Sequence, residues 1–424
     1  MNGSDAQQAE PSSSAAPLHF DRRRLLGAAA ALPLWLHQHR FGYVAPRGGA
    51  RTLLVLELAG GNDGLNTVIP VDDPLYAAAR PRLSVVRKGA HRLDDGTALH
   101  PALPRLHRLV ASGRAAVVHG VGYPQPDRSH FRSRDIWQVA DPTHRHVTAN
   151  TTGWLGRAAD QLAAAGTVVP GAAIGGLEVP LALRAVRATV PSLRRVEDFQ
   201  WLSPLAAAPV ARGEPVRELV ADRAEAGADA SLRTFVQDRT QRALRLADDL
   251  ERALAAYRPR ATYPETQLGR DLRLAAQVVT SGFGTRLLHV STGGYDTHAR
   301  QLPTHQSLLA QLDAALDAFV ADVMAHGRAD DVTVLVHSEF GRRVAENASQ
   351  GTDHGAAAPA FVLLGRVAPG AVGPAPDLQH LDDGDLVATM DFRRLYSDLL
   401  RWLEIDPAVV LGDDFESSGV LLPR

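Results

Sequence analysis

The apolar run Thr52–Leu58 constrains the fold of this chain more than any other segment. Its length and its leucine and valine content are typical of a strand that is buried on both faces, as in mostly parallel sheets. The run stops at the glycine-rich block 60–64, where glycine lets the backbone turn sharply and approach a ligand closely. The sequence therefore predicts a parallel sheet whose first strand leads directly into a ligand-binding loop.

Further apolar runs alternate with helical patterns along the chain. Strands are predicted at 115–119, 167–174, 286–291, 332–336 and 360–364, and helices at 103–112, 129–139, 154–165, 265–280, 305–325 and 391–403. Strands that alternate with helices over this length predict an α/β fold, a three-layer αβα sandwich around a mostly parallel central sheet. We expect a leader at 1–46 and a single domain at 50–424, with a helical insertion or cap at about 192–263.

Composition excludes several classes of protein. The net charge of −2 on 424 residues leaves no electrostatic footprint for nucleic acid or for an anionic membrane surface. The chain has no cysteine, so disulfides and thiolate metal ligands are both excluded.

The N-terminus carries an export pattern. Arg22 and Arg23 precede a short, alanine-rich apolar run at 25–36, which is typical of a twin-arginine signal. That run spans only about 18 Å as a helix, too short to cross a bilayer core comfortably. The alternative is a buried N-terminal helix. We expect passage through the twin-arginine translocase to the periplasm or the cell exterior, with no transmembrane span in the mature domain and an anchor only if the leader is retained.

Acidic and imidazole side chains follow the predicted strands. Asp63, Asp296, His298 and Glu339 each lie at or just past the C-terminal end of a strand, where ligands gather in open α/β sheets. Asp296 and His298 project to the same side if their segment is extended. His354 lies nearby in sequence and completes a set of oxygen and nitrogen ligands that suits zinc, manganese or iron.

Each of these ligands has an ordinary structural alternative. Asn-Asp-Gly at Asp63 is also a common turn sequence. Asp296 and His298 could form hydrogen bonds within a loop instead of binding a metal. His354 could be a capping residue.

For Glu339 the alternative to a metal is a salt bridge to Arg342 or Arg343, because an unpaired buried carboxylate is costly. Asp353 is the weaker ligand, since it could instead hold the ring of His354 in position.

Ser129 is the candidate nucleophile because it lies near the start of a predicted helix, a place that favours anionic groups. A metal could convert its hydroxyl to an alkoxide; the alternative is that Ser129 only caps the helix. His130 is a second candidate, as ligand or acid. The flanking Arg128, Arg132 and Arg134 could clamp an anion or be ordinary surface arginines.

Five blocks together resemble one known family, the domain of unknown function 1501. They are 60–66, 128–131, 293–298, 338–342 and 351–355, and the likeness extends over nearly all of 50–424. The resemblance implies a distant branch of the alkaline phosphatase and sulfatase superfamily, without a settled activity. Members of that superfamily cleave phosphate or sulfate esters with one or two metal ions and a nucleophile at a helix start.

By that resemblance the roles fall on six positions. The nucleophile corresponds to Ser129, and the metal ligands to Asp63, Asp296, His298, Glu339 and His354. Two departures weaken a two-metal mechanism: only one residue separates the Asp296/His298 pair, and Phe340 stands where the superfamily has a histidine. The formylglycine signature of sulfatases is absent around Ser129.

The sequence thus predicts an exported, metal-dependent hydrolase of phosphate or sulfate esters. Its substrate would be a small or polymer-borne anionic ester, and its cofactor one or two divalent ions, with zinc preferred over manganese, iron or calcium. The alternative is a non-catalytic exported metal-binding or assembly protein on a hydrolase-derived fold, which the missing histidine after Glu339 favours.

Overall fold

Strand β1 (Thr52–Leu58) runs through the interior of the sheet, and every one of its residues is buried. The computed structural model describes residues 50–93, 95–144, 146–194 and 256–423. All of these fall in one compact unit of the chain. The predicted export signal and most of the predicted insertion lie outside the described residues.

The remaining strands of the described part are mostly short. They are β2 (Val68–Ile69), β3 (His91–Arg92), β4 (Ala98–Leu99), β5 (Ala115–Gly122), β6 (Gly171–Ile174), β7 (Ser192–Leu193), β8 (Leu287–Thr292), β9 (Val332–His337), β10 (Ala358–Leu364), β11 (Gly370–Val372), β12 (Leu381–Asp382), β13 (Asp385–Leu386) and β14 (Met390–Asp391).

The main sheet has the order β11-β5-β10-β9-β1-β8-β6-β7, and β14 pairs with the C-terminal end of β5, past the residues of β5 that pair with β11. Strand β10 is antiparallel to both of its neighbours, and the other pairings in this sheet are parallel. The predicted α/β fold with a mostly parallel sheet is confirmed. The reversed direction of β10 was not predicted, since a buried apolar run has the same composition in either direction.

This direction pattern brings five loops to one edge of the sheet. Strands β1, β8 and β9 are in register at their ends, where Leu56 pairs with Val290 on one side and Val336 on the other. The loops that follow these strands therefore leave at the same edge. Strand β5 is parallel to them and also ends there, whereas antiparallel β10 begins there.

The helices of the described part cover both faces of this sheet. They are α1 (Gly64–Thr67), α2 (Pro74–Ala79), α3 (Pro104–Ala111), α4 (His130–Val139), α5 (Trp154–Ala164), α6 (Gln267–Thr280), α7 (Gln301–Ala325), α8 (Phe392–Trp402) and α9 (Pro407–Leu411), with 3-10 turns at Leu83–Arg87, Leu181–Leu183 and Ala329–Asp331. Within this part of the chain, no helix combines the length and apolarity that a bilayer crossing requires.

Strand β1 shows how the three layers form, because its alternate side chains enter two different cores. Leu54 and Leu56 pack in a cluster with residues of α3, α6 and α7. Leu53 and Val55 pack in a second cluster with residues of α4, α5 and α8. Burying one such side chain contributes about 1.5–3 kcal/mol, so a polar residue in place of any of these four apolar side chains would destabilise one of the two layers.

Helix α7 begins at Gln301, earlier than the predicted start at residue 305. The reason is that Pro303 lies in the first turn of the helix, where a missing backbone N–H costs nothing. The earlier start places Gln301 inside the protein, fully buried.

Candidate metal centre

Two glycines let the loop after β1 pass in close contact with the loops after β8 and β9. Gly60 has a φ of +117°, and a Cβ there would lie 2.5 Å from the backbone nitrogen of Asp296. Gly61 has a φ of +67°, and a Cβ there would lie 2.2 Å from the ring of Phe340. Larger residues would therefore be strained and would push apart the loops that carry the candidate ligands.

Three of these loops bring ligand atoms together at one point. One ligand atom each from His130, Asp296 and His354 lies within 4.8 Å of the other two. The Asp296 Oδ1 atom is 3.5 Å from His130 Nε2 and 3.3 Å from His354 Nε2. His298 joins them, with its Nε2 atom 3.0 Å from the same Asp296 oxygen and 2.9 Å from His354 Nε2.

The opposite nitrogen of each imidazole is held by an acceptor. His354 Nδ1 lies 2.8 Å from the backbone carbonyl oxygen of Arg128. A carbonyl oxygen only accepts hydrogen bonds, so this Nδ1 carries the proton and His354 Nε2 presents a lone pair. Burial favours that neutral form, because it lowers the pKa of His354.

The other two imidazoles are held in the same way by carboxylates. His298 Nδ1 lies 3.1 Å from Asp353 Oδ1 and His130 Nδ1 lies 2.9 Å from Glu339 Oε1. Hydrogen bonding from Asn347 and from His298 keeps the pKa of Asp353 low, so it is an acceptor. Carboxylates at Nδ1 are the usual partners that orient metal-binding histidines.

Three Nε2 atoms thus converge on one carboxylate oxygen. The 2.9 Å contact between His298 and His354 is repulsive if both nitrogens carry lone pairs, so a proton or a cation must lie between them. His130 Nε2 is buried without a hydrogen-bond partner in the described residues. Each of these contacts becomes favourable if the nitrogens share a cation.

Asp296 is held by Arg342, which is fully buried. Arg342 Nη2 donates to Asp296 Oδ1 at 2.6 Å, and the same guanidinium donates to the backbone oxygens of Gly61 and Thr352. Burial alone would raise the pKa of Asp296, but the hydrogen bond and the charge of Arg342 outweigh it and lower the pKa. Asp296 is therefore a carboxylate at neutral pH.

The charges of the cluster do not cancel. With neutral imidazoles, the carboxylates of Asp296, Glu339 and Asp353 outnumber the Arg342 guanidinium by two. A divalent cation would neutralise this excess.

The cluster is also open to solvent on one side. The side chains of Asp296 and His298 are 46% and 43% exposed, whereas those of Glu339 and Arg342 are 1% and 0% exposed. The supporting groups are thus inside, whereas Asp296 and His298 face the solvent in part.

The family model described as "Protein of unknown function (DUF1501)" matches residues 50–412 of the chain. The chain belongs to this family. The predicted family membership is confirmed, and the matched range contains all residues of the cluster. No curated protein matches the chain.

Several solved structures are similar at low identity. The lipoteichoic acid synthase LtaP from Listeria monocytogenes is 12% identical, with 80% of this chain and 74% of that chain covered and a TM-score of 0.36. The C-terminal periplasmic domain of EcEptC from Escherichia coli, solved with Zn, is 11% identical over 75% and 73%, with a TM-score of 0.33. An alkaline phosphatase superfamily protein from Vibrio parahaemolyticus is 10% identical over 94% and 80%, with a TM-score of 0.36.

Asp63 lies apart from the other predicted ligands. Both of its oxygens bind Arg80 Nη1, at 2.8 and 2.7 Å, and its Oδ1 accepts from the Asn66 N–H as the N-cap of α1. Burial would raise the pKa of Asp63, but Arg80 lowers it. The structure therefore corrects the expected ligand set, because an arginine neutralises this carboxylate. Asp63 has a structural role in the turn that begins α1, which was the alternative to metal binding.

Glu339 and Asp353 each bind a histidine that the sequence did not predict for them. Glu339 binds His130 and the Gly60 N–H instead of Arg342 or Arg343. Asp353 binds His298, not His354.

The predicted anion-binding arginines are engaged elsewhere. The Arg128 guanidinium pairs with Asp383 and Asp385. Arg134 binds Glu57 on β1, and Arg132 lies 3.4 Å from the Pro142 carbonyl oxygen. The contribution of Arg128 to the cluster is its backbone oxygen, which no side-chain pattern in the sequence could indicate.

Ser129 occupies the N-cap position of α4, but its side chain forms no capping hydrogen bond. Its backbone N–H instead donates to Asp127 Oδ1 at 2.7 Å, and the residue is exposed. The structure therefore does not support the alternative in which the Ser129 side chain caps the helix. Its hydroxyl lies next to His130 in sequence and at the positive end of α4.

Phe340 replaces the histidine of the superfamily pattern and forms a wall of the cluster. Its ring centroid lies 4.9 Å from that of His130 and 4.8 Å from that of His354. It therefore fixes the orientation of both imidazoles by packing.

Proposed function

We propose that this protein is a metal-dependent hydrolase of anionic esters, with one divalent cation held by Asp296 Oδ1 and by Nε2 of His130 and His354. The observation that carries the proposal is the common orientation of the imidazoles: each Nδ1 is held by an acceptor, and each Nε2 atom lies close to the same carboxylate oxygen. A bound zinc ion would supply a Lewis acid that polarises the ester oxygen.

The donor set supports zinc. In tetrahedral sites with metal–ligand bonds of about 2.0–2.1 Å, ligand atoms lie about 3.3 Å from one another. The Asp296 oxygen is 3.3 and 3.5 Å from the two histidine nitrogens. Imidazole and carboxylate ligands without a thiolate also suit manganese and iron.

The residues around the cluster support hydrolysis of an anion. Helix α4 begins at His130, so the N–H groups of its first turn lie beside the cluster. The N-terminus of a helix favours an anion such as a phosphate or sulfate group. Ser129 is an exposed residue whose side chain forms no capping hydrogen bond, and its Oγ is the nucleophile in this proposal. Glu339 holds the Nδ1 proton of His130, and Arg342 keeps Asp296 ionised.

A second candidate is a non-catalytic metal-binding protein, and the position of His298 favours it. His298 Nε2 contacts both Asp296 and His354. If it also binds the cation, four protein ligands close the site, as in structural zinc centres, whereas catalytic zinc keeps one position open.

The first prediction separates these two functions. Protein purified without added metal should contain about one equivalent of zinc or a similar ion, and Asp296→Ala should lose it. Ser129→Ala should keep the metal but lose turnover about 100-fold or more, because the nucleophile is absent. Metal content by mass spectrometry and assays with phosphate monoesters, phosphodiesters and sulfate esters measure both.

His380→Ala is the matched control, since this histidine is exposed and pairs only with Asp377 among the contacts described for it. It should change neither metal content nor turnover. Metal retained without turnover on every ester class would favour the non-catalytic function, and wild-type metal content in Asp296→Ala would refute the site.

We also propose export by the twin-arginine route, which the pair Arg22 and Arg23 supports. Replacing both by lysine should leave the precursor in the cytoplasm of the producing cells, because the translocase reads the arginine pair. Fractionation and immunoblotting measure the distribution. Normal secretion of the double variant would contradict this route.

A further inference from the structure

We infer that Gln301 is a positioning residue that sets the distance between the two loops carrying Asp296, His298 and His354. The inference rests on the proposed metal site and concerns a residue outside it. Gln301 is the first residue of α7 and is fully buried.

The amide oxygen of Gln301 joins the two loops directly. It accepts from Thr297 Oγ1 at 3.1 Å and from Thr352 Oγ1 at 2.8 Å. Thr297 lies between Asp296 and His298, and Thr352 lies two residues before His354. A shift of either hydroxyl therefore moves a ligand of the cluster.

The amide nitrogen of Gln301 anchors this junction to the opposite side. It donates to Asp63 Oδ2, and Asp63 is itself fixed by Arg80. Arg80 also donates to the backbone oxygens of Val344 and Arg343, at 2.8 Å each. The network thus extends to the residues that follow Arg342.

The chemistry requires an amide at this position. Two hydroxyl donors face one end of the side chain and a carboxylate acceptor faces the other, so the residue must both accept and donate. A glutamate would place a second carboxylate against Asp63, and an apolar side chain would leave the two buried threonine hydroxyls unpaired and Asp63 Oδ2 with Arg80 alone.

Cobalt(II) alone is the probe, because its visible spectrum reports the geometry of the ligands. In the full chain, Gln301→Met should weaken Co²⁺ binding about 10- to 100-fold and change the ligand-field bands, as loss of groups that orient ligands does. Thr352→Val is the milder second variant and should weaken binding less. Combined with Gln301→Met it should add little, because both remove one interaction.

Tyr263→Phe is the matched control. It deletes a buried hydrogen bond to Asp322, at 2.9 Å, in a different part of the structure. It should lower the melting temperature and leave the Co²⁺ affinity and spectrum unchanged. If Gln301→Met and Thr352→Val also lower only the melting temperature, the inference is overturned. If wild-type protein binds no Co²⁺, or binds it equally well with Asp296→Ala, the proposed function itself fails and this inference with it.

Discussion

An Arg80→Met variant should lose about 3–5 kcal/mol of free energy of unfolding, because the substitution leaves a buried carboxylate without its cation. Both side chains of the Arg80–Asp63 pair are 0% exposed, and one guanidinium nitrogen binds both carboxylate oxygens. The same guanidinium also binds two backbone oxygens. Urea unfolding at pH 7.5 followed by circular dichroism measures the loss.

Two further variants test the cause of that loss. Adding Asp63→Asn to Arg80→Met removes the unpaired charge, so the double variant should be more stable than Arg80→Met alone. Arg92→Met breaks the exposed pair of Arg92 with Asp72, whose side chains are 61% and 60% exposed, and should lower the free energy of unfolding far less than Arg80→Met does. Equal stability of the single and double variants would show that the charge is not the cause.

The strands could be predicted from sequence because strands that are buried on both faces appear in the sequence as nearly continuous apolar runs. The predicted run Thr52–Leu58 coincides with β1, and the run predicted at 332–336 is β9 with one further residue. Strand direction follows from how the loops connect, so the reversed β10 could not be predicted from its own residues.

The cluster could be predicted only in part. Asp296, His298 and His354 were candidates because acids and imidazoles follow strands, and the structure brings them together with His130. The error at Asp63 has a physical cause. Its partner Arg80 lies just past α2 in a segment without a functional pattern, and the pairing depends on the path of the chain between them.

The free energy of unfolding should also fall as the pH falls from about 6.5 to about 4. Burial lowers the pKa of His305 and of His337 to about 4, and the pKa of His100 to about 4 as well. In the unfolded chain these groups titrate near 6.5. Between the two values the unfolded chain binds more protons than the folded one, so their stabilisation is complete above about pH 6.5 and is lost as the pH falls towards 4.

The size of this effect is set by the two fully buried rings. A pKa lowered from 6.5 to about 4 corresponds to about 3 kcal/mol for each, as an upper estimate. Urea unfolding at intervals between pH 8 and pH 4 should show the decrease. His305→Gln keeps a donor towards Asn62 but cannot titrate, so it should flatten the pH dependence. His380→Gln, at an 81% exposed side chain, should leave it unchanged.

The Arg80→Met variant gives the strictest form of this test, because His305 is close to both charges of the pair. The Arg80 charge lowers the pKa of His305 and the Asp63 charge raises it. Without Arg80, a proton on His305 can compensate the buried Asp63 carboxylate, and Asp63 itself binds a proton more readily. The deficit of Arg80→Met relative to wild type should therefore shrink as the pH falls from 8 to 5. A deficit that stays constant over this range would contradict the linkage between the ion pair and the buried histidine.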